Sequence, residues 1–162
     1  MIDMLEMIKQ NDPECLPIVR KIGCFVRSCG AIAEIKELKK LTAEQINELW
    51  LWAKKSGNVD HEDNVKHSAP IITHALRMLG NDTGRFIEVA TFRNGKMSYY
   101  ASIPDELKSL PKAYIQKIKT NGEIGTHFRV INCLGELVFD PYEPEVKVQD
   151  IFYSIVYVYK EN

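Results

Sequence analysis

The chain has 162 residues, 45% hydrophobic and 27% charged, proportions that suit one globular domain with a core of its own. Its 21 basic and 22 acidic residues leave a net charge of −1, which argues against nucleic acid or an anionic membrane surface as a partner. No apolar run approaches the roughly 18 residues of a spanning helix, the acidic start "MIDMLEMIKQNDPE" does not read as a signal peptide, and four cysteines without a CxxC pair read as reduced thiols, so a cytoplasmic location is expected.

In chain order, residues 1–10 suit a short amphipathic helix stopped by Asn11-Asp12-Pro13. From Pro17 onward, Ile18, Ile22, Phe25, Val26, Cys29, Ile32 and Ile35 recur at helical spacing. Thr42-Ala43-Glu44-Gln45 has the form of a capping box, opening a helix to about Ala53 with Ile46, Leu49 and Trp50 inward. Ser68-Ala69-Pro70 signals another start, for a helix that buries Ile71, Ile72, Ala75, Leu76 and Leu79 and stops at Gly80. The pattern then changes to "RFIEVATF", an Asn94-Gly95 turn and "KMSYYASI", which predict a strand pair. A helical interruption is expected over residues 104–119, followed by a β-hairpin in "GTHFRVINCLGELVFDPYEP" and a last strand, "YSIVYVYK". Helices first and mostly antiparallel strands afterwards make an α+β class, in one domain over residues 1–162.

The hairpin carries chemistry at its outer ends. With its turn centred between Cys133 and Leu134, His127 lies opposite Asp140, within reach of a carboxylate–imidazole hydrogen bond. Phe128, Val130, Leu137 and Phe139 then share the core face, and Arg129 and Val138 share the face of His127. Such a carboxylate fixes the tautomer of a histidine and stabilises its cation, as a general base requires. A turn centred one residue later pairs Asp140 with Arg129 instead, an ordinary cross-strand ion pair.

A base needs a nucleophile, and "KIGCFVRSCGAIAEI" places Cys24 after a glycine at the head of an apolar helical segment. Free N–H groups and aligned peptide dipoles at a helix start stabilise a thiolate, and the Cys24 N–H is a ready oxyanion donor. Gly23 would let the chain bend and leave space beside the sulfur. The competing reading runs one helix from Pro17 and buries Cys24 in its middle. Cys29, followed by Gly30 and Ala31, is the second choice of nucleophile. Cys133 falls in the hairpin turn and Cys15 in a Pro-flanked loop. "HEDNVKH" with His74 offers imidazoles and carboxylates but lacks HExxH spacing, so neither a metal nor another cofactor is expected.

Gly23-Cys24 with "FVRSCGAIAEI", His127-Phe128-Arg129-Val130 and Phe139-Asp140-Pro141 together resemble the papain-like cysteine peptidase superfamily, in particular its peptidase C39-like branch. The "GC-aromatic-x-RS" string is also similar to that of small phage and spirochaete proteins labelled cysteine peptidases. The resemblance spans roughly residues 17–160 and implies a helical N-terminal half packed on a C-terminal antiparallel sheet. It implies a peptide or protein amide as substrate, Cys24 as nucleophile, His127 as general base and Asp140 as its orienting group. A cell-wall peptide amidase of the NlpC/P60 type is a variant within this class. The chain departs from the pattern at one point. Papain-like enzymes carry a Gln shortly before the nucleophile as second oxyanion donor, and residues 17–23, "PIVRKIG", hold none. Arg20, Gln10 or Asn11 would have to fill in, or the groove would bind a peptide or protein without cleaving it.

Overall fold

The computed structural model describes residues 6–93, 103–122 and 125–162. Among the described residues, four α-helices precede the sheet: α1 (Pro17–Ile22), α2 (Cys24–Glu37), α3 (Ala43–Lys55) and α4 (Ser68–Met78). Five antiparallel strands follow, β1 (Gly84–Arg93), β2 (Lys112–Thr120), β3 (Thr126–Ile131), β4 (Leu137–Phe139) and β5 (Val148–Glu161), in the order β1-β5-β2-β3-β4. The class is therefore α+β, with helices before the sheet in sequence. Among the described residues no helix is long and apolar enough to cross a membrane.

Local chemistry explains most of these boundaries. Thr42 accepts from the Gln45 N–H at 3.1 Å and Gln45 Oε1 accepts from the Thr42 N–H at 2.9 Å, so the capping box is complete. The α4 helix starts at Ser68, within the expected start signal: His67 is the N-cap, and the Ser68 hydroxyl meets the Tyr157 hydroxyl at 2.6 Å in the core. Gly80, at φ +93°, ends the α4 region in the left-handed conformation that glycine adopts without strain.

Two of the expected elements differ. The helix expected over residues 104–119 is only a 3₁₀ turn at Asp105–Leu107; the rest is β2, paired between β5 and β3. Central strands buried on both faces lose the alternation that marks half-buried ones. Residues 6–10 of the expected N-terminal helix run irregularly, and its first residues lie outside the described ones. The Asn94-Gly95 turn and most of "KMSYYASI" also lie outside them; β1 pairs along its length with β5.

The main core lies between α2, α4 and one sheet face. Small buried residues of α2 (Cys29, Ala31, Ala33) let α4 approach with Ile71, Ile72 and Leu76, and Ile115, Val130, Phe139 and Tyr157 close it from the sheet. Within it sits an ion pair, Arg27 Nη1 to Glu34 Oε2 at 2.7 Å, with both side chains fully buried. That contact is off the hydrogen-bond direction, whereas Arg27 Nε donates to the Ile8 carbonyl at 2.6 Å and Glu34 Oε1 accepts from the Leu41 N–H at 2.7 Å. The pair thus ties α2 to the N-terminal segment and to the start of α3. Removing one partner strands a buried charge, so Arg27→Ala or Glu34→Ala is expected to cost about 3–5 kcal/mol, read as a lower urea midpoint; a well-packed apolar replacement of both should cost far less.

Candidate active site

The helical segment predicted from Pro17 breaks at Gly23, and the break decides the site. Gly23 ends α1 by donating to the Val19 carbonyl at 2.8 Å and starts α2 by accepting from the Arg27 N–H at 2.8 Å. A Cβ at this position would lie 2.5 Å from the Val19 oxygen and 2.8 Å from its Cα. Glycine is therefore needed for close approach of backbone to backbone; the space beside the sulfur expected from the sequence is not its role. Cys24 becomes the first residue of a 14-residue helix, half-buried, with its N–H free of any intrahelical partner.

One turn later, Ser28 donates to the Phe128 carbonyl at 3.3 Å, and the ring of Phe25 stacks on that of Phe128 at 4.1 Å. These contacts fix the head of α2 against β3 and bring Cys24 beside His127, the second residue of that strand.

His127 Nε2 and Asp140 Oδ1 are 2.7 Å apart, with both residues buried. The contact arises by a route the expected register did not provide. Val130 pairs with Phe139 and Ile131 with Leu137, with a bulge between, so the turn centred on Cys133-Leu134 is not the one formed. Extending the Val130–Phe139 pairing would set Asp140 against Arg129, but β4 ends at Phe139 and Asp140 leaves the ladder. Its carboxylate also accepts from the N–H groups of Tyr142 at 2.9 Å and Val146 at 2.8 Å, while Arg129 donates to Gln116 at 2.9 Å.

These surroundings set the charges. Burial favours neutral His127, but the hydrogen bond to Asp140 and the adjacent Cys24 thiol, with the charges of both, outweigh it and raise its pKa to about 9. Burial likewise opposes ionised Asp140, yet bonds from His127, Tyr142 and Val146 hold its carboxyl below the ordinary value. His127 Nδ1 has no hydrogen bond of good geometry among the described residues, so the thiol approaches the ring loosely, as unliganded sites allow.

The remaining candidates separate clearly. Cys29 is fully buried, donates to the Ser68 carbonyl and has its pKa pushed well up by burial, which removes the second choice of nucleophile. Cys15 is buried, with its pKa also raised chiefly by burial, and Cys133 is exposed in the turn. His74 stacks on Trp52 at 3.9 Å, His61 is exposed, and no group of three metal-ligating side chains forms among the described residues. Of the possible oxyanion donors, Asn11 is bonded on both sides to Glu143 and Arg20 lies exposed on the rim. Gln10 is buried in the wall of the Cys24 cleft, its N–H bonded to the Pro141 carbonyl at 2.7 Å and its Nε2 donating over 3.3 Å to the Val19 and Arg20 carbonyls.

Cys24 and His127 face a cleft of about 650 Å³ that the loop at residues 62–65, Trp50, Tyr142 and Tyr153 help to enclose. The sequence reading missed the Tyr142 and Val146 amides that hold Asp140; the turn-forming Asp140-Pro141 pair was their only signal. It also missed the loop at residues 62–65 as a wall of the site. No protein-family model, curated protein or solved structure matches this chain.

The His127 shift has a definite sign for stability. The folded value, about 9, exceeds the ordinary 6.5, so the folded state holds the extra proton. Its contribution is complete below pH 6.5 and disappears as pH rises through about 9. Asp140 behaves oppositely, contributing above its ordinary value of 3.8 and losing the contribution as pH falls through its depressed one. The gap in urea stability between the wild type and His127→Gln is therefore expected to narrow, by on the order of 3 kcal/mol, from about pH 6 to about pH 10. A constant gap would mean that His127 is not held as a cation.

Proposed function

We propose that this protein is a thiol hydrolase of papain-like type, C39-like in its arrangement, that cleaves an amide bond in a peptide or protein. The observation that carries this reading is Cys24 at the head of α2, coupled to a buried histidine whose other nitrogen is bound to a buried carboxylate. Cys24 thiolate attacks the carbonyl carbon while His127 holds the proton. The electron pair moves to the carbonyl oxygen, where the Cys24 N–H and the Gln10 amide, from residues that line the same cleft, are the candidates to stabilise it. The C–N bond then breaks, and His127 gives its proton to the departing amine. Water, deprotonated by His127, cleaves the thioester to release the acid and restore the thiol.

Asp140 keeps Nε2 occupied, leaving Nδ1 as the working nitrogen. This supports a base that needs no rearrangement before reaction. A second reading, a groove that binds peptides without cleaving them, is favoured by one observation: Gln10 Nε2 already donates to two carbonyls at the end of α1. Both contacts are at the long end for hydrogen bonds, so release of one to an oxyanion costs little.

Peptidyl chloromethylketones and aldehydes distinguish the two. The hydrolase reading expects an adduct at Cys24, located by mass spectrometry, that forms far more slowly in His127→Ala. Gln10→Ala should slow it by about a hundredfold without unfolding the protein. If iodoacetamide reaches Cys24 while a panel of peptidyl probes does not, hydrolysis is wrong and the binding groove stands.

A further inference from the structure

Among the described residues, Lys117 in the cleft wall has no counter-charge. Lys117 lies on β2 directly opposite Phe128 on β3 and Tyr153 on β5, so all three side chains project to the same sheet face. Its ammonium sits 5.6 Å from the Phe128 ring, 5.6 Å from that of Tyr153 and 5.8 Å from that of Phe152. Ring faces attract an ammonium and confine it, but they accept none of its hydrogen bonds. Among the described residues no carboxylate lies within ion-pair distance of Lys117. The Phe128 ring beneath it stacks on Phe25, the residue after Cys24, so the ammonium is linked to the nucleophile through two rings in contact.

The other charges around the cleft add to this. Arg20 and Lys21, also on its wall, form no ion pair among the described residues. Of the two acids on the wall, Asp63 is bonded to Lys54 at 2.6 Å, which leaves Glu62, an exposed side chain. Among the described residues, unpaired positive charge thus gathers around the Cys24 cleft of a chain whose net charge is −1. Fixed charges of one sign in a cleft with low-dielectric walls select ligands of the other sign.

We propose that Lys117 is a specificity-determining residue that receives a carboxylate of the substrate next to the scissile amide. This rests on the thiol-hydrolase reading for its reaction, though not for its binding chemistry. The substrate is then a peptide with a negative charge close to the bond cut, supplied by a free α-carboxylate or by an acidic side chain. The aromatic rings hold the ammonium in place, so a bound carboxylate gains a directed, partly desolvated charge-assisted hydrogen bond.

Matched electrophiles read this directly on the full-length protein. Iodoacetyl-glycine against iodoacetyl-glycinamide tests a free α-carboxylate; the α-amide of iodoacetyl-glutamate against iodoacetyl-glutaminamide tests an acidic side chain. Within at least one pair, the anionic probe should alkylate Cys24 about tenfold faster at low ionic strength, and the preference should fade with salt. The pair that responds identifies the source of the carboxylate. Lys117→Gln should abolish the preference and Lys117→Arg should keep most of it, the preference being read within each variant as the ratio of the anionic to the neutral rate. Absence of a preference in both pairs, or one that survives Lys117→Gln, overturns the proposal. The hydrolase reading fails separately, if neutral probes label Cys24 no faster than Cys133 and are indifferent to His127→Ala. A Lys117-dependent preference in that case leaves the carboxylate site standing in a binding groove.

Discussion

A buried imidazole bonded at 2.7 Å to a buried carboxylate needs further donors on the carboxylate to hold its charge. Desolvation disfavours both charges; their mutual attraction, the neighbouring Cys24 and further donors on the carboxylate keep them ionised. Asp140 finds those donors in the Tyr142 and Val146 amides, so the chain after β4 must curl back around it. That curl is held in turn by the N-terminal segment: Lys9 Nζ donates to the Asp140 carbonyl at 2.7 Å, Gln10 N–H to that of Pro141 at 2.7 Å, and Asn11 to that of Glu143 at 2.7 Å. The segment is anchored on its other side by Arg27 through the Ile8 carbonyl. The His127–Asp140 bond therefore depends on parts of the chain more than 100 residues apart in sequence.

Cys24 is set against that pair by the opposite end of the same structure. Arg27 and Ser28 sit in the first turns of α2, one reaching back to the N-terminal segment and the other across to the carbonyl of Phe128. Gly23 allows α1 to pack against the start of α2 with no room for a methyl group between them. The thiol thus stands at a helix start because the short α1 and the 14-residue α2 meet at a glycine. Its distance from the imidazole is governed by core contacts, not by a flexible loop. Preorganisation of this kind is what a nucleophile and its base require, since small misplacements of reacting groups cost large factors in rate.

Much of this was legible from local chemistry. The apolar spacing in α2, α3 and α4, the Thr42–Gln45 box and the stop at Gly80 are signals contained within a few residues, and they gave the helices. Gly23-Cys24 was legible as a helix head, although Ile18 and Ile22 argued equally for continuity through it. The β2 strand was not legible, because Tyr114, Ile115, Gln116 and Ile118 are all buried and a strand covered on both faces shows no alternation. The hairpin register failed for a different reason. Asn132 accepts from the Leu134 and Glu136 amides and Gly135 takes φ +81°, a turn chemistry that was present in the sequence and outweighs the centre chosen there. His127 and Asp140 meet all the same, because Asp140 lies just past the last paired residue and is free to turn. Gln10, 14 residues before Cys24, reaches the cleft only through tertiary packing; no spacing rule predicts that.

The central claim is that Cys24, His127 and Asp140 share charge as one unit, and ring-nitrogen NMR of His127 tests it most directly. In the wild type the imidazolium should persist through neutral pH and titrate near pH 9. Cys24→Ser and Asp140→Asn should each lower that midpoint, because each removes a negative charge that favours the protonated ring. A wild-type midpoint near the ordinary 6.5, unmoved by Cys24→Ser, would contradict the account.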